Sequence, residues 1–195
     1  PSFWRHELRP DNFAYWAPVA YEGIIEVNGT VLSVSGAGHH ERAVRIGPDP
    51  FITTGRGNRQ FMGFDEEANI HFHLMARPNG DGFGWAIVDG EVMECLEDQG
   101  QIQVLDTEFW VDPRTWFNMP RRWNVVMQGS MGKLNLTAIA YARACHVWDY
   151  LRNRYHILYW NTADAIGTFT FNDGRVVAIR DMKCFCHINR TFLHT

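Results

Sequence analysis

The chain has 195 residues, of which 46% are apolar and 21% charged, with a formal net charge of −4. Those proportions suit one globular domain that buries its own core without staples. They exclude a nucleic-acid surface, which needs clustered Lys and Arg, and no apolar run approaches the length of a membrane-spanning helix. Eight Trp, thirteen Phe and six Tyr make 14% of the chain, enough aromatic area both to fill a core and to line a pocket.

The first strands are expected at 20–27 and 30–36, in "YEGIIEVNGTVLSVSG". Asn28-Gly29 between them supplies the positive φ angles of a type I′ turn. The start, "PSFWRHELRPDN", shows no basic region followed by an apolar run, so the expectation is a cytoplasmic protein with reduced thiols. The ribbon leads into "GAGHHERAVRI", where His39, His40, Glu41 and Arg42 stand side by side. The region 48–58 reads as an irregular loop.

Further strands are expected at 59–64, 69–76, 83–88, 91–97 and 102–110, then at 122–128, 133–142, 155–161, 166–171 and 175–187. Asp89-Gly90 and the segment Asn172 to Gly174 repeat the hairpin signal. The region 111–121 is expected to be a loop. "ARACHVWDYLRNR", Ala142 to Arg154, carries apolar residues at helical spacing and is expected to form a short helix. Many short strands joined by local hairpins predict an antiparallel meander. Closing it into a barrel removes its edges. The fold expected is therefore one all-β domain over residues 1–195, a lipocalin-like barrel with at most one short helix.

Period-two reading sorts side chains by face. His71 and His73 share one face of their strand, as do Asp106, Glu108 and Trp110 on theirs; Tyr159 and Trp160 are neighbours and point apart. His71-x-His73 has no Glu in the turn that follows, so two polar residues on a strand face is favoured over a metal site. Cys184-x-Cys186 without a second pair reads as two small buried residues. "GRGNRQFMG" lacks the Lys-Ser/Thr of a phosphate loop, and Ser130 has misplaced glycines for a serine nucleophile. No metal or other cofactor is expected.

"YEGIIEVNGTVLSVSGAGHHERAVRI" resembles a segment of the lipocalin-like hydratase superfamily, which includes carotenoid 1,2-hydratases, AttH-like proteins and fungal pericyclase domains. Gly36, Gly38, His40 and Glu41 fit its turn pattern, with His39 in the usual aromatic position and Arg42 in place of a second His. "FGWAIVDGEV" and "YWNTADAIGTFTF" are similar to two more of its strands. The resemblance implies a single barrel of the C-terminal type. It also implies an isoprenoid or polyketide-like apolar substrate that is hydrated, cyclised or isomerised, making the protein a lyase or isomerase.

Such chemistry needs a proton donor and a cradle for positive charge. Glu41, Glu108 and Asp106 are the candidate acids, with His40 as orienter or relay. Trp85, Tyr159 and Trp160 are the candidate cradle, and His39, His71 and His73 are candidate substrate contacts. For each residue taken singly, a salt bridge or core packing is the simpler role. The competing class is a carrier without chemistry. A cavity holding a carboxylate and a His favours the enzyme; a purely apolar one favours the carrier; a barrel filled with side chains favours neither.

Overall fold

The structure, a computed structural model, describes residues 2–6, 9–44, 59–77, 82–96, 99–151 and 154–193, with side chains at 15–42, 59–77, 82–96, 99–147 and 157–188. The expected loop at 48–58 lies outside the described residues. All secondary structure described is antiparallel strand, and it falls into two compact units, residues 1–47 and 48–195.

The first unit is a three-stranded sheet of β1 (Ser2–His6), β2 (Arg9–Val27) and β3 (Thr30–Val44). Asn28 and Gly29 adopt φ of 51° and 77°, the left-handed pair that a two-residue hairpin needs. Tyr21 lies directly across from Gly36. A Cβ added at Gly36 would meet the Tyr21 hydroxyl oxygen at 2.9 Å, and one at Gly38 would meet the same ring at 3.6 Å. The two glycines of "GAGHH" therefore form the seat of an aromatic ring that covers the bare backbone.

The second unit is a nine-stranded sheet in the order β7-β6-β5-β4-β12-β11-β10-β9-β8. Its strands are β4 (Arg59–Asp65), β5 (Ile70–Ala76), β6 (Gly82–Val88), β7 (Glu91–Cys95), β8 (Ile102–Val111), β9 (Asn118–Gln128), β10 (Gly132–Leu151), β11 (Arg154–Phe171) and β12 (Val176–Leu193). The sheet is strongly curled into a half-barrel. The all-β class and the lipocalin-like curl agree with the sequence reading. The helix expected from Ala142 does not form. Residues 142–151 extend β10 and pair with 154–162 of β11, because long-range strand pairing outweighs a short stretch of helical spacing. The two strands expected at 155–161 and 166–171 are one strand, with a register shift between Ala165 and Gly167. Gly167 is required there, since a Cβ would sit 1.9 Å from the Asn135 carbonyl oxygen.

The core occupies the concave side. Phe61 of β4 meets Trp123 of β9 edge to face, with ring centroids 5.5 Å apart, although three strands separate β4 from β9 in the sheet. Around them pack Phe72, Leu74, Met93, Met127, Leu134 and Phe169, all fully buried. Arg59 of β4 and Asp106 of β8 form an ion pair across the same curl. The concave side is thus filled by side chains.

Candidate functional site

Two departures from regular pairing open a cleft at one end of the half-barrel. β10 pairs with β9 only from Lys133 to Ile139. Immediately beyond, its register against β11 shifts between Ala140 and Ala142. An extra residue bends a strand and increases its twist, and here it carries β10 away from the segment 118–121 of β9. β8 shifts register against β9 on either side of Glu108, near the same end. The resulting cleft has a volume of about 850 Å³, within the usual range for small-molecule sites. Thr137, Ile139, Asp164 and Ile166 line one side; Tyr141, Arg143, Trp110, Arg114 and Arg121 complete it.

Arg143 is the central group. Its Nε donates to Asn161 Oδ1 at 2.5 Å and its Nη2 to the Pro120 carbonyl at 2.6 Å. The second bond spans the gap between the parted strands. Its guanidinium lies 4.6 Å from the Trp110 ring centroid. Nη1 is buried and makes no hydrogen bond among the described residues. Burial pulls the Arg143 pKa down, opposed by the negative charge of Asp112. Asn161, itself fully buried, is oriented by donating from Nδ2 to the Cys186 carbonyl.

The turn after β8 supports this wall. Asp112 is fully buried and accepts from the Arg114 backbone N–H at 2.9 Å and from Arg114 Nη2 at 2.6 Å. Its carbonyl accepts from the Thr115 and Trp116 N–H groups. Trp116 is held at φ 60° and is 80% exposed, a strained backbone for a bulky side chain. Thr115 Oγ1 lies 2.5 Å from the Tyr159 hydroxyl. Burial pushes Tyr159 up to about 12, so its phenol stays protonated at neutral pH and can donate but not act as a base.

The charges of the cleft do not cancel. Asp112 is taken by Arg114, and Asp164 shares Lys183 with Asp181, at 2.9 and 2.6 Å. Arg121 and Arg143 make no ion pair among the described residues.

The residues singled out in the sequence are distributed over several faces. His40 and Glu41 are exposed neighbours on β3 and point to opposite faces; Tyr15 packs edge to face on His40 at 5.6 Å, and His39 lies on the Glu41 face. In the second unit, Asp106 is concave and paired with Arg59. Glu108 does not share its face: the register shift turns it outward, where it is exposed and paired with Arg122 at 2.8 Å. Tyr159 is concave and buried, its ring 5.9 Å from the Arg143 guanidinium, while Trp160 points the other way and is exposed. His71, His73 and Trp85 lie together on the convex face and are buried. His71 packs on Trp85 at 5.3 Å. His73 Nε2 is 3.1 Å from Gln60 Nε2, and Gln60 Oε1 is 3.2 Å from His187 Nδ1.

None of these candidates lines the cleft; Tyr159 stands behind its lining, with its ring 5.9 Å from the Arg143 guanidinium. Arg143, Trp110, Arg114, Arg121, Asp112 and Asn161 were not singled out as site residues. The available signal was an Arg inside the otherwise small and apolar run "AIAYARAC". Among the described residues no three of His, Cys, Asp and Glu gather to hold a metal ion, and no helix is long and apolar enough to cross a membrane. Burial raises Cys95 to about 11 and Cys184 to about 12, leaving both as unreactive thiols.

His71 gives a pH prediction. Burial lowers its pKa to about 4, below the ordinary value of about 6.5 for histidine. The unfolded chain then binds the proton more readily, so His71 contributes stability fully above about pH 6.5, and this is lost as pH falls toward about 4. The melting temperature should decline over that window, and His71→Phe should flatten the decline. An unchanged slope in the variant would contradict the reading.

No family model matches the chain, and no significant match to a curated protein or a solved structure is found.

Proposed function

We propose that the protein is a lipocalin-like small-molecule-binding module whose site is the cleft between β9 and β10. The observation that supports it best is the buried, unpaired Nη1 of Arg143 beside Trp110, in a cleft of ligand size. Buried polar atoms are almost always satisfied, and a charged one without a counter-ion is costly. The strained Trp116 turn beside it is the kind of feature that concentrates at binding sites. The hydration, cyclisation or isomerisation implied by the family resemblance is a second reading of this same cleft. It is favoured by the Tyr159 phenol, which stays protonated and lies next to the cleft's central group, its ring 5.9 Å from the Arg143 guanidinium.

Native mass spectrometry of freshly purified protein tests the binding reading. A co-purified molecule of a few hundred daltons is expected, and Ile139→Trp, which fills the cleft, should abolish its retention. Retention undiminished by Ile139→Trp, or no bound molecule even after incubation with a metabolite extract, would overturn it. Turnover of the bound molecule, lost in Tyr159→Phe, would establish the enzymatic reading over the carrier.

A further inference from the structure

We infer that the ligand of this cleft is an amphipathic monocarboxylate, its carboxylate paired with Arg143 and Arg121 and its apolar body lying over Ile139, Tyr141 and Ile166. The inference rests on the cleft being a binding site and adds the chemical class of what it holds.

The charge balance requires an anion. Arg114 is already ion-paired with Asp112, and Asp164 and Asp181 are ion-paired with the one Lys183 that they share. Arg121 and Arg143 are not, among the described residues, and both line the cleft. The number of donors argues for a singly charged, two-oxygen group. Nε of Arg143 is committed to Asn161 and one Nη2 hydrogen to Pro120, leaving the Nη1 end. That end and Arg121 match the two oxygens of a carboxylate. A phosphate dianion calls for more donors, typically a nest of backbone N–H groups on glycines, and no glycine among the described residues lines the cleft. The rest of the ligand must be apolar, because Ile139, Ala140, Ala142, Ile166 and the Trp110 ring supply much of the remaining wall.

The test is calorimetric titration of the full chain at neutral pH with 2-naphthylacetate and its uncharged amide, 2-naphthylacetamide. The acetate should bind about tenfold more tightly or better, the scale of one charge-assisted hydrogen bond. Arg143→Met and Arg121→Gln should each remove most of that advantage, bringing the affinity for the acetate down toward that for the amide. Arg121 is exposed and makes no ion pair among the described residues, so its variant keeps the test open if Arg143→Met fails to fold. Equal binding of acetate and amide overturns the carboxylate and leaves the cleft. Displacement of the acetate by millimolar inorganic phosphate also overturns it, in favour of a phosphoryl group. Binding of neither compound overturns the cleft itself.

Discussion

Replacing Trp123 with Ala is expected to cost about 3–5 kcal/mol, the largest loss from any single truncation in the core. Trp123 is fully buried at the centre of the concave side, edge-on to Phe61. Its importance follows from topology. The terminal strands β7 and β8 are not hydrogen-bonded to each other, so no ladder closes the curl. Contacts across the concave side must maintain it, and Trp123–Phe61 and Arg59–Asp106 both join β4 to the far strands. Removing the indole leaves a void whose walls belong to strands already fixed by their own ladders, so it cannot collapse. Urea unfolding measures the loss, and a double-mutant cycle with Phe61→Leu should give a coupling of about 0.5–1.5 kcal/mol. Trp123→Phe should cost much less than the volume change alone suggests. The indole Nε1 is buried without a hydrogen bond among the described residues, and deleting an unsatisfied donor offsets part of the lost packing. A loss below about 1 kcal/mol for Trp123→Ala would show that the curl does not depend on this contact.

The local signals in the sequence were legible because they are written in single residues. Asn28-Gly29 and Asp89-Gly90 take the left-handed angles that their identities allow, and the turn around Gly174 joins the strands expected on either side. Strand alternation likewise follows from pattern alone. The register shifts are different in kind. Nothing in "LDTEFWV" or "IAYARAC" marks Glu108 or Tyr141 as sites where pairing slips, since a bulge depends on what the partner strand offers. The shift in β8 reverses a face assignment, separating Glu108 from Asp106, and the shift in β10 brings Arg143 to the cleft. The same ignorance of partners made Ala142 to Arg154 read as a helix. His40 and Glu41 illustrate the opposite case. Adjacent residues on a strand point apart, so their separation was already implied once the stretch was taken as extended.

Asp112→Ala is expected to cost about 2–4 kcal/mol and to weaken ligand binding together with it. Asp112 organises the turn at both ends. Its backbone N–H donates to Phe117, its carbonyl accepts from Thr115 and Trp116, and its carboxylate accepts from Arg114. Losing the carboxylate frees Arg114, relaxes the strained Trp116 and withdraws Thr115 from Tyr159. It also removes the negative charge that opposes the effect of burial on the part-buried Arg143, which destabilises that cation further. Asp112→Asn keeps the shape and isolates the charge. Hydrogen bonding from Arg114 holds the Asp112 carboxyl below the ordinary carboxylate range. A depressed carboxyl contributes stability that is present above its unfolded pKa, near about 4, and lost as pH falls through its folded value. Asp112→Asn should therefore flatten the acid limb of the melting curve only below about pH 4. His71→Phe acts in the window between about 6.5 and about 4. Two variants flattening two separate windows would assign each limb to its residue. If Asp112→Asn instead altered the upper window, the turn and the convex face would be energetically coupled, and the cleft could not be treated as an independent site.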